Sequence, residues 1–170
     1  AMTLGDRIVV MKDGQIEQAA EPTEVFNNPA TLFVAKFIGT PPMNIFEGII
    51  CASGDQLLFD GGTIKAILPV KMADRVRGIA GKKACLGIRP RSFKLKKDMP
   101  GDCQSFKGAV DVIETLGDEL LVHLVAGDHQ FQISLSAHER PYLDGEIEVC
   151  PQFEIAHIFD GETGKNLTMS

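Results

Sequence analysis

Residues 44–68 read NIFEGIICASGDQLLFDGGTIKAIL, and the fold class turns on this stretch. Three apolar runs, Asn44–Cys51, Gln56–Phe59 and Thr63–Leu68, are separated by Ser53-Gly54-Asp55 and Asp60-Gly61-Gly62. Short β-prone runs bounded by turn residues predict antiparallel strands. The texture continues through Ala84–Arg89, Phe106–Leu116, Leu120–Val125, Gln130–Leu135, Ile147–Cys150 and Phe153–Ile158. Further turns fall at Ala126-Gly127-Asp128 and Asp160-Gly161-Glu162. After residue 40 only Val70–Ala80 reads as helical. Short strands with turns every eight to twelve or so positions predict a small antiparallel barrel or sandwich. An OB-like barrel accounts for the length and for the single intervening helix.

Upstream of this stretch the pattern differs. Arg7-Ile8-Val9-Val10-Met11, Lys12-Asp13-Gly14 and Gln15-Ile16 form a hairpin signal, because Asp-Gly supplies the two positive-φ positions of a primed turn. In Pro22-Thr23-Glu24-Val25-Phe26, Thr23 is the expected cap of a short helix that stops before Asn28-Pro29. Asn28 is then the expected N-cap of a second helix, with Pro29 at its first position. Leu32, Phe33 and Phe37 fall on one face of that helix. Gly39 ends it and Thr40-Pro41-Pro42 stiffens the exit, so the expected boundary separates residues 1–40 from a β domain at 41–170.

At 170 residues, 44% hydrophobic and 24% charged, the chain has globular composition. No run approaches the roughly 20 apolar residues that span a bilayer, and the start lacks a basic-then-apolar signal; a soluble intracellular protein is expected. Cys51, Cys85, Cys103 and Cys150 lie far apart without a CxxC pair. Free buried thiols are favoured over disulfides or metal ligation, with Cys103 expected to be exposed in PGDCQS.

Net charge is −6 but unevenly placed. Arg75, Arg77, Lys82, Lys83, Arg89, Arg91, Lys94, Lys96 and Lys97 follow one another without an intervening acid. From Asp111 onward, twelve acids face only Arg140 and Lys165. A basic run can bind phosphates, nucleic acid or anionic lipid, and a solvated face offsetting the acidic half is the favoured reading. Lys82, Lys83, Arg89 and Arg91 are the candidate anion patch. With only Phe93 interleaved, the stacking platform of a single-strand binder is missing, and no nucleic-acid partner is expected.

The sequence contains no G-x-x-x-x-G-K-[ST] loop to cradle nucleotide phosphates. No apolar strand ends in paired acids for Mg²⁺. His123, His129, His138 and His157 are scattered without a serine or cysteine nucleophile beside them. Asp118-Glu119 reads as a turn rather than an acid pair, since neighbouring strand residues point to opposite faces. No catalytic, cofactor or metal site is expected within the chain.

Asp6-Arg7-Ile8-Val9-Val10-Met11, Asp13-Gly14-Gln15-Ile16 and Pro22-Thr23-Glu24-Val25-Phe26 resemble the end of the nucleotide-binding domain of carbohydrate-type ABC importer ATPases. So do Asn28-Pro29-Ala30, Phe33-Val34-Ala35, Phe37-Ile38-Gly39 and Met43-Asn44. Leu86-Gly87-Ile88-Arg89-Pro90 is similar to a signature of that family's C-terminal regulatory domain, and Phe159-Asp160-Gly161-Glu162-Thr163-Gly164 to its closing strand and turn. Gly87, Ile88, Arg89, Pro90, Phe159, Asp160, Gly161 and Gly164 are therefore the motif positions to follow. Where the family commonly has an acid and a histidine after Arg89-Pro90, this chain has Arg91-Ser92. Ala137-His138-Glu139-Arg140-Pro141 and Glu114-Thr115-Leu116-Gly117 look most like the subgroup serving sn-glycerol-3-phosphate importers.

The resemblance implies an OB-like (TOBE/MOP-like) regulatory barrel preceded by a small α/β remnant of the nucleotide-binding domain. Ala1-Met2-Thr3-Leu4 would continue a helix opened by a Thr-His-Asp-Gln segment, so the chain is expected to begin just after the switch histidine. It further implies a homodimer at the inner face of the inner membrane. The parent would use ATP and Mg, two permease subunits and a periplasmic solute-binding protein, with a cytoplasmic regulator as a further partner. Three functions compete: a regulatory and dimerisation portion without turnover, which leads; a barrel sensing a small anion such as phosphate or glycerol 3-phosphate; and an OB-type nucleic-acid binder. The hairpin's apolar residues Ile8-Val9-Val10 are expected to pack on the β domain, swap between copies or mediate a dimer.

Overall fold

A computed structural model describes residues 5–99 and 101–169. Residues 1–4, where the continued helix is expected, lie outside the described residues. The chain is mainly β. Strands β1 (Ile8–Lys12) and β2 (Gln15–Ala20) form the expected hairpin, with Asp13 at φ 49° and Gly14 at φ 78° in its turn. Helices α1 (Pro22–Asn27) and α2 (Leu32–Phe37) follow.

Both expected helix caps are displaced. Helix α1 is capped at Glu21 rather than Thr23, because Pro22 already occupies the first turn, where a missing N–H costs nothing. Asn28 ends α1 instead of opening α2: its backbone N–H donates to the Glu24 carbonyl and its amide to the Glu24 carboxylate. Thr31 takes the N-cap of α2, its hydroxyl accepting from Val34 N–H. The buried residues of α2 are Val34 and Ala35, whereas Phe37 is exposed and stacks on Phe33 with ring centroids 5.6 Å apart. The helix is clamped on two sides, which a single apolar stripe does not describe. Val34 meets Val10 and Val25, and Ala35 meets Met43, Cys85 and Phe159.

The remaining strands form two five-stranded antiparallel sheets. One contains β3 (Asn44–Ser53), β4 (Gln56–Gly61), β5 (Ile64–Ile67), β6 (Lys83–Ile88) and β12 (His157–Asp160), in the order β12-β6-β3-β4-β5. The other contains β7 (Phe93–Leu95), β8 (Phe106–Leu116), β9 (Glu119–Ala126), β10 (His129–Ser136) and β11 (Glu146–Pro151), in the order β10-β9-β8-β11-β7. Helix α3 (Val70–Val76) and one 3-10 turn at Arg77–Ile79 replace the longer helix expected over Val70–Ala80. The strand expected over Phe153–Ile158 is displaced to β12, His157–Asp160, because Phe153–Ile155 tightens into a 3-10 turn closed by Ala156 N–H on the Phe153 carbonyl.

One continuous apolar core fills the space between the sheets. Phe46, Phe93, Phe106 and Phe131 pack there edge to face and tilted, with centroids 5.5 to 6.3 Å apart. Asn44 stitches one sheet to the other by exchanging hydrogen bonds with the Gln132 backbone, donating at 2.7 Å and accepting at 2.8 Å. The hairpin and first helices have their own small core of Val10, Val25 and Val34, so Val10 is covered locally while Val9 stays half exposed.

The expectation of four free thiols is overturned at one pair. Cys103 is bridged to Cys150, with Cα atoms 6.2 Å apart, and is half-buried rather than exposed. The cause is strand pairing: Phe106 sits opposite Val149 and Ser105 hydrogen-bonds Glu148, which folds the connection before β8 onto β11. Cys85 and Cys51 remain free thiols.

Candidate functional site

Arg89, the residue that follows strand β6, enters the seam between α1–α2 and the two sheets. Arg89 is 7% exposed. Its guanidinium donates to the Ile38 carbonyl at 2.6 Å, the Phe26 carbonyl at 2.7 Å and the Ala35 carbonyl at 3.4 Å, and it lies 4.1 Å from the Phe26 ring centroid. These carbonyls sit at the ends of α1 and α2, where helices leave acceptors unpaired. A planar fork of donors suits that task better than an ammonium. Burial lowers the Arg89 pKa to about 10, so the group stays charged at neutral pH. Arg89 Nε is, among the described residues, the buried side-chain nitrogen left without a partner.

His157, at the start of β12, reinforces the same seam. Its ring hydrogen-bonds the Asn27 backbone and lies 3.3 Å from the Asn166 amide. Burial depresses its pKa most, the Asn27 contact raises it, and the Arg89 charge lowers it further. Asn166 also donates to the Pro29 carbonyl from its side chain and to the Ala30 carbonyl from its backbone. Asn166 and β12 are thus tied to the segment Asn27–Ala30 that joins α1 to α2.

A groove of about 930 Å³ opens beside this seam. Phe26, Asn28 and Pro41 form one wall; α3 and the Phe153–His157 turn form the others. Lys71, Arg75, Arg89 and Arg91 line it against the single acid Glu154. Arg75 donates to the Thr168 and Met169 carbonyls, both at 2.7 Å, and Arg91 pairs with Glu119 at 3.0 Å. A smaller cavity of about 490 Å³ near Met43 and His123 is lined by the opposed charges of Lys36 and Asp111.

The structure divides the candidate anion patch. Arg89 and Arg91 lie at the groove, whereas Lys82 and Lys83 lie at the other end of β6, about 20 Å away at the usual rise per strand residue. There the Lys83 carbonyl accepts from Gly161 N–H, and Lys82 helps lower the pKa of Asp160. Asp160 caps its turn by accepting from Thr163 N–H at 2.7 Å and Glu162 N–H at 3.0 Å, the leading causes of that depression. Gly87 is needed because a Cβ there would lie 2.6 Å from Met43 and 2.7 Å from Phe159. Ile88 and Phe159 are fully buried, Pro90 is buried at the start of a 3-10 turn, and Gly164 adopts φ 72° in the turn whose carbonyl receives Leu32 N–H.

Sequence reasoning missed Lys71, His157 and Ile155 as groove residues. A histidine inside the apolar run Ala156-His157-Ile158-Phe159 was the available signal for a satisfied buried polar group. Among the described residues, no group of three or more His, Cys, Asp or Glu could hold a metal, and no helix is long and apolar enough to cross a membrane.

Residues 39–93 match the MalK OB fold domain family. An uncharacterized ABC transporter ATP-binding protein of Bacillus subtilis, YurJ, is 38% identical over 169 residues, covering 96% of this chain and 45% of the relative. The sn-glycerol-3-phosphate import ATP-binding protein UgpC of Salmonella typhi is 38% identical over 167 residues, and that of Escherichia coli K12 is 35% identical. Each covers 98% of this chain and 45% of the relative, so the chain spans about half the length of these relatives. Among solved structures, the cytoplasmic molybdate-binding protein ModG superposes with a TM-score of 0.51 at 14% identity, covering 68% of this chain and 94% of that one. At that identity the likeness extends to the fold alone.

Proposed function

The chain is a relative of the C-terminal part of ABC transporter ATP-binding proteins and carries the MalK OB fold domain; from that premise we propose that it is the regulatory and dimerisation portion of an importer's ATP-binding subunit. Residues 1–40 are the end of the nucleotide-binding domain and residues 41–170 the barrel that regulates it. The chain does not itself hydrolyse ATP; ATP and Mg belong to the remainder of the parent subunit. Two permease subunits and a periplasmic solute-binding protein complete the importer, and the barrel works at the cytoplasmic face of the inner membrane. Exposed Val112 and Leu116 on β8, with Met11 and Ile16 on the hairpin, offer apolar surface for pairing with a second copy.

The observation that carries this reading is similarity that spans 98% of this chain, at 38% identity to UgpC over 167 residues. The solute is sn-glycerol 3-phosphate or a related sugar-type compound, supported by the relatives' names. The test is exchange: this chain replaces the corresponding segment of UgpC, and uptake of labelled sn-glycerol 3-phosphate is measured in cells lacking the native subunit. Restored uptake supports the reading. Folded, membrane-associated subunit without ATP-driven uptake refutes it.

A further inference from the structure

Three cations around the groove have no carboxylate partner among the described residues. Among the described residues Lys71 makes no ion pair, and the hydrogen bonds of the Arg75 and Arg89 guanidiniums go to backbone carbonyls. Against them stands the one acid, Glu154. Carbonyl dipoles satisfy hydrogen bonds without cancelling charge, so a positive potential persists and a concave, low-dielectric wall focuses it.

The same groove exposes apolar surface on both sides. Val70, at the start of α3, is 77% exposed, and Ile155, in the turn before β12, is 55% exposed; both line the cavity. Phe26, Pro41 and Phe153 extend the apolar lining. The volume of about 930 Å³ lies within the usual small-molecule range. An inorganic oxyanion would leave these side chains in water, and a purely apolar ligand would leave the cations unanswered. We propose that this groove binds a small amphipathic anion: a phosphate, sulfonate or carboxylate headgroup carrying an acyl or aryl body.

The site would be regulatory by position, which rests on the reading above. One wall belongs to α1 and the segment after α2, the other to the barrel, so a ligand that binds only the docked arrangement holds the two together by mass action. Octyl phosphate, below its micellar concentration, is the probe, with octanol and inorganic phosphate as the two half-ligands. Calorimetry and thermal melts on the 170-residue chain should show octyl phosphate binding at least tenfold tighter than either half and raising Tm by several degrees.

Val70→Glu and Ile155→Glu place a like charge in the groove at exposed positions, so they should leave the circular dichroism spectrum unchanged while weakening octyl phosphate at least tenfold. Lys71→Glu should do the same. No Tm shift with octyl phosphate overturns the proposal. So does octyl phosphate binding that persists unchanged in the Val70→Glu/Ile155→Glu double variant, and so does inorganic phosphate binding as tightly as octyl phosphate. These failures concern the groove alone; the uptake exchange tests the regulatory reading independently.

Discussion

Replacing Arg89 should release the first forty residues while leaving the barrel folded. The two short bonds, to the Phe26 and Ile38 carbonyls, are charge-assisted and each worth about 1.5–3 kcal/mol. Packing against the Phe26 ring adds about 0.5–2 kcal/mol. Desolvation of the buried cation, visible in its lowered pKa, offsets several kcal/mol of that sum. For Arg89→Ala we expect a net loss of about 3 kcal/mol, a factor of roughly 100 in the opening equilibrium. Native-state hydrogen exchange localises the loss. The amides of Val25 and Ile38, bonded to the Glu21 and Val34 carbonyls, should exchange about 100-fold faster, while that of Ile50 in β3 stays protected. Arg89→Lys should fall between, since one ammonium cannot fork across both carbonyls. Arg89→Met decides the sign: if it protects Val25 and Ile38 as well as the native residue does, burial cost outweighs the bonds and the latch is not stabilising.

His157 makes the same seam sensitive to acid. Its folded-state pKa lies below the unfolded value of 6.5, so the unfolded chain binds the proton more readily in that window. Stability is complete above pH 6.5 and declines as pH falls through the folded value. Melts from pH 7.5 to 5 should show a steeper Tm loss for the native chain than for His157→Gln; equal slopes would remove His157 as the cause. The Cys103–Cys150 bridge closes a separation of 47 residues, and reducing it should cost about 2–4 kcal/mol. Denaturant curves with and without a phosphine reductant test this, and a Cys103→Ser variant should lose its response to reductant. A response that survives the substitution assigns the effect elsewhere.

Strand positions were legible wherever turn chemistry bounded an apolar run. Phe106–Leu116 ends at the residues expected, and Asp13-Gly14 makes the hairpin turn its sequence specifies. Local signals failed where two of them competed within a few residues. Pro22 displaced the Thr23 cap, and Thr31 displaced Asn28 once Asn28 was engaged by Glu24. Strand β7 was missed because three residues in a basic run give no periodicity to read.

Local chemistry, which acts over a few residues, therefore determined by itself that this chain is a set of short antiparallel strands preceded by a hairpin and two short helices. Only the tertiary structure decided what its polar residues do. Arg89 reaches carbonyls 51 and 63 residues back, and Cys103 meets a partner 47 residues ahead. In sequence Arg89 was one of nine cations in a solvated-looking run; in the fold it is buried at a seam. Burial and pairing across such distances depend on which surfaces the sheets bring together, and no spacing along the chain encodes that.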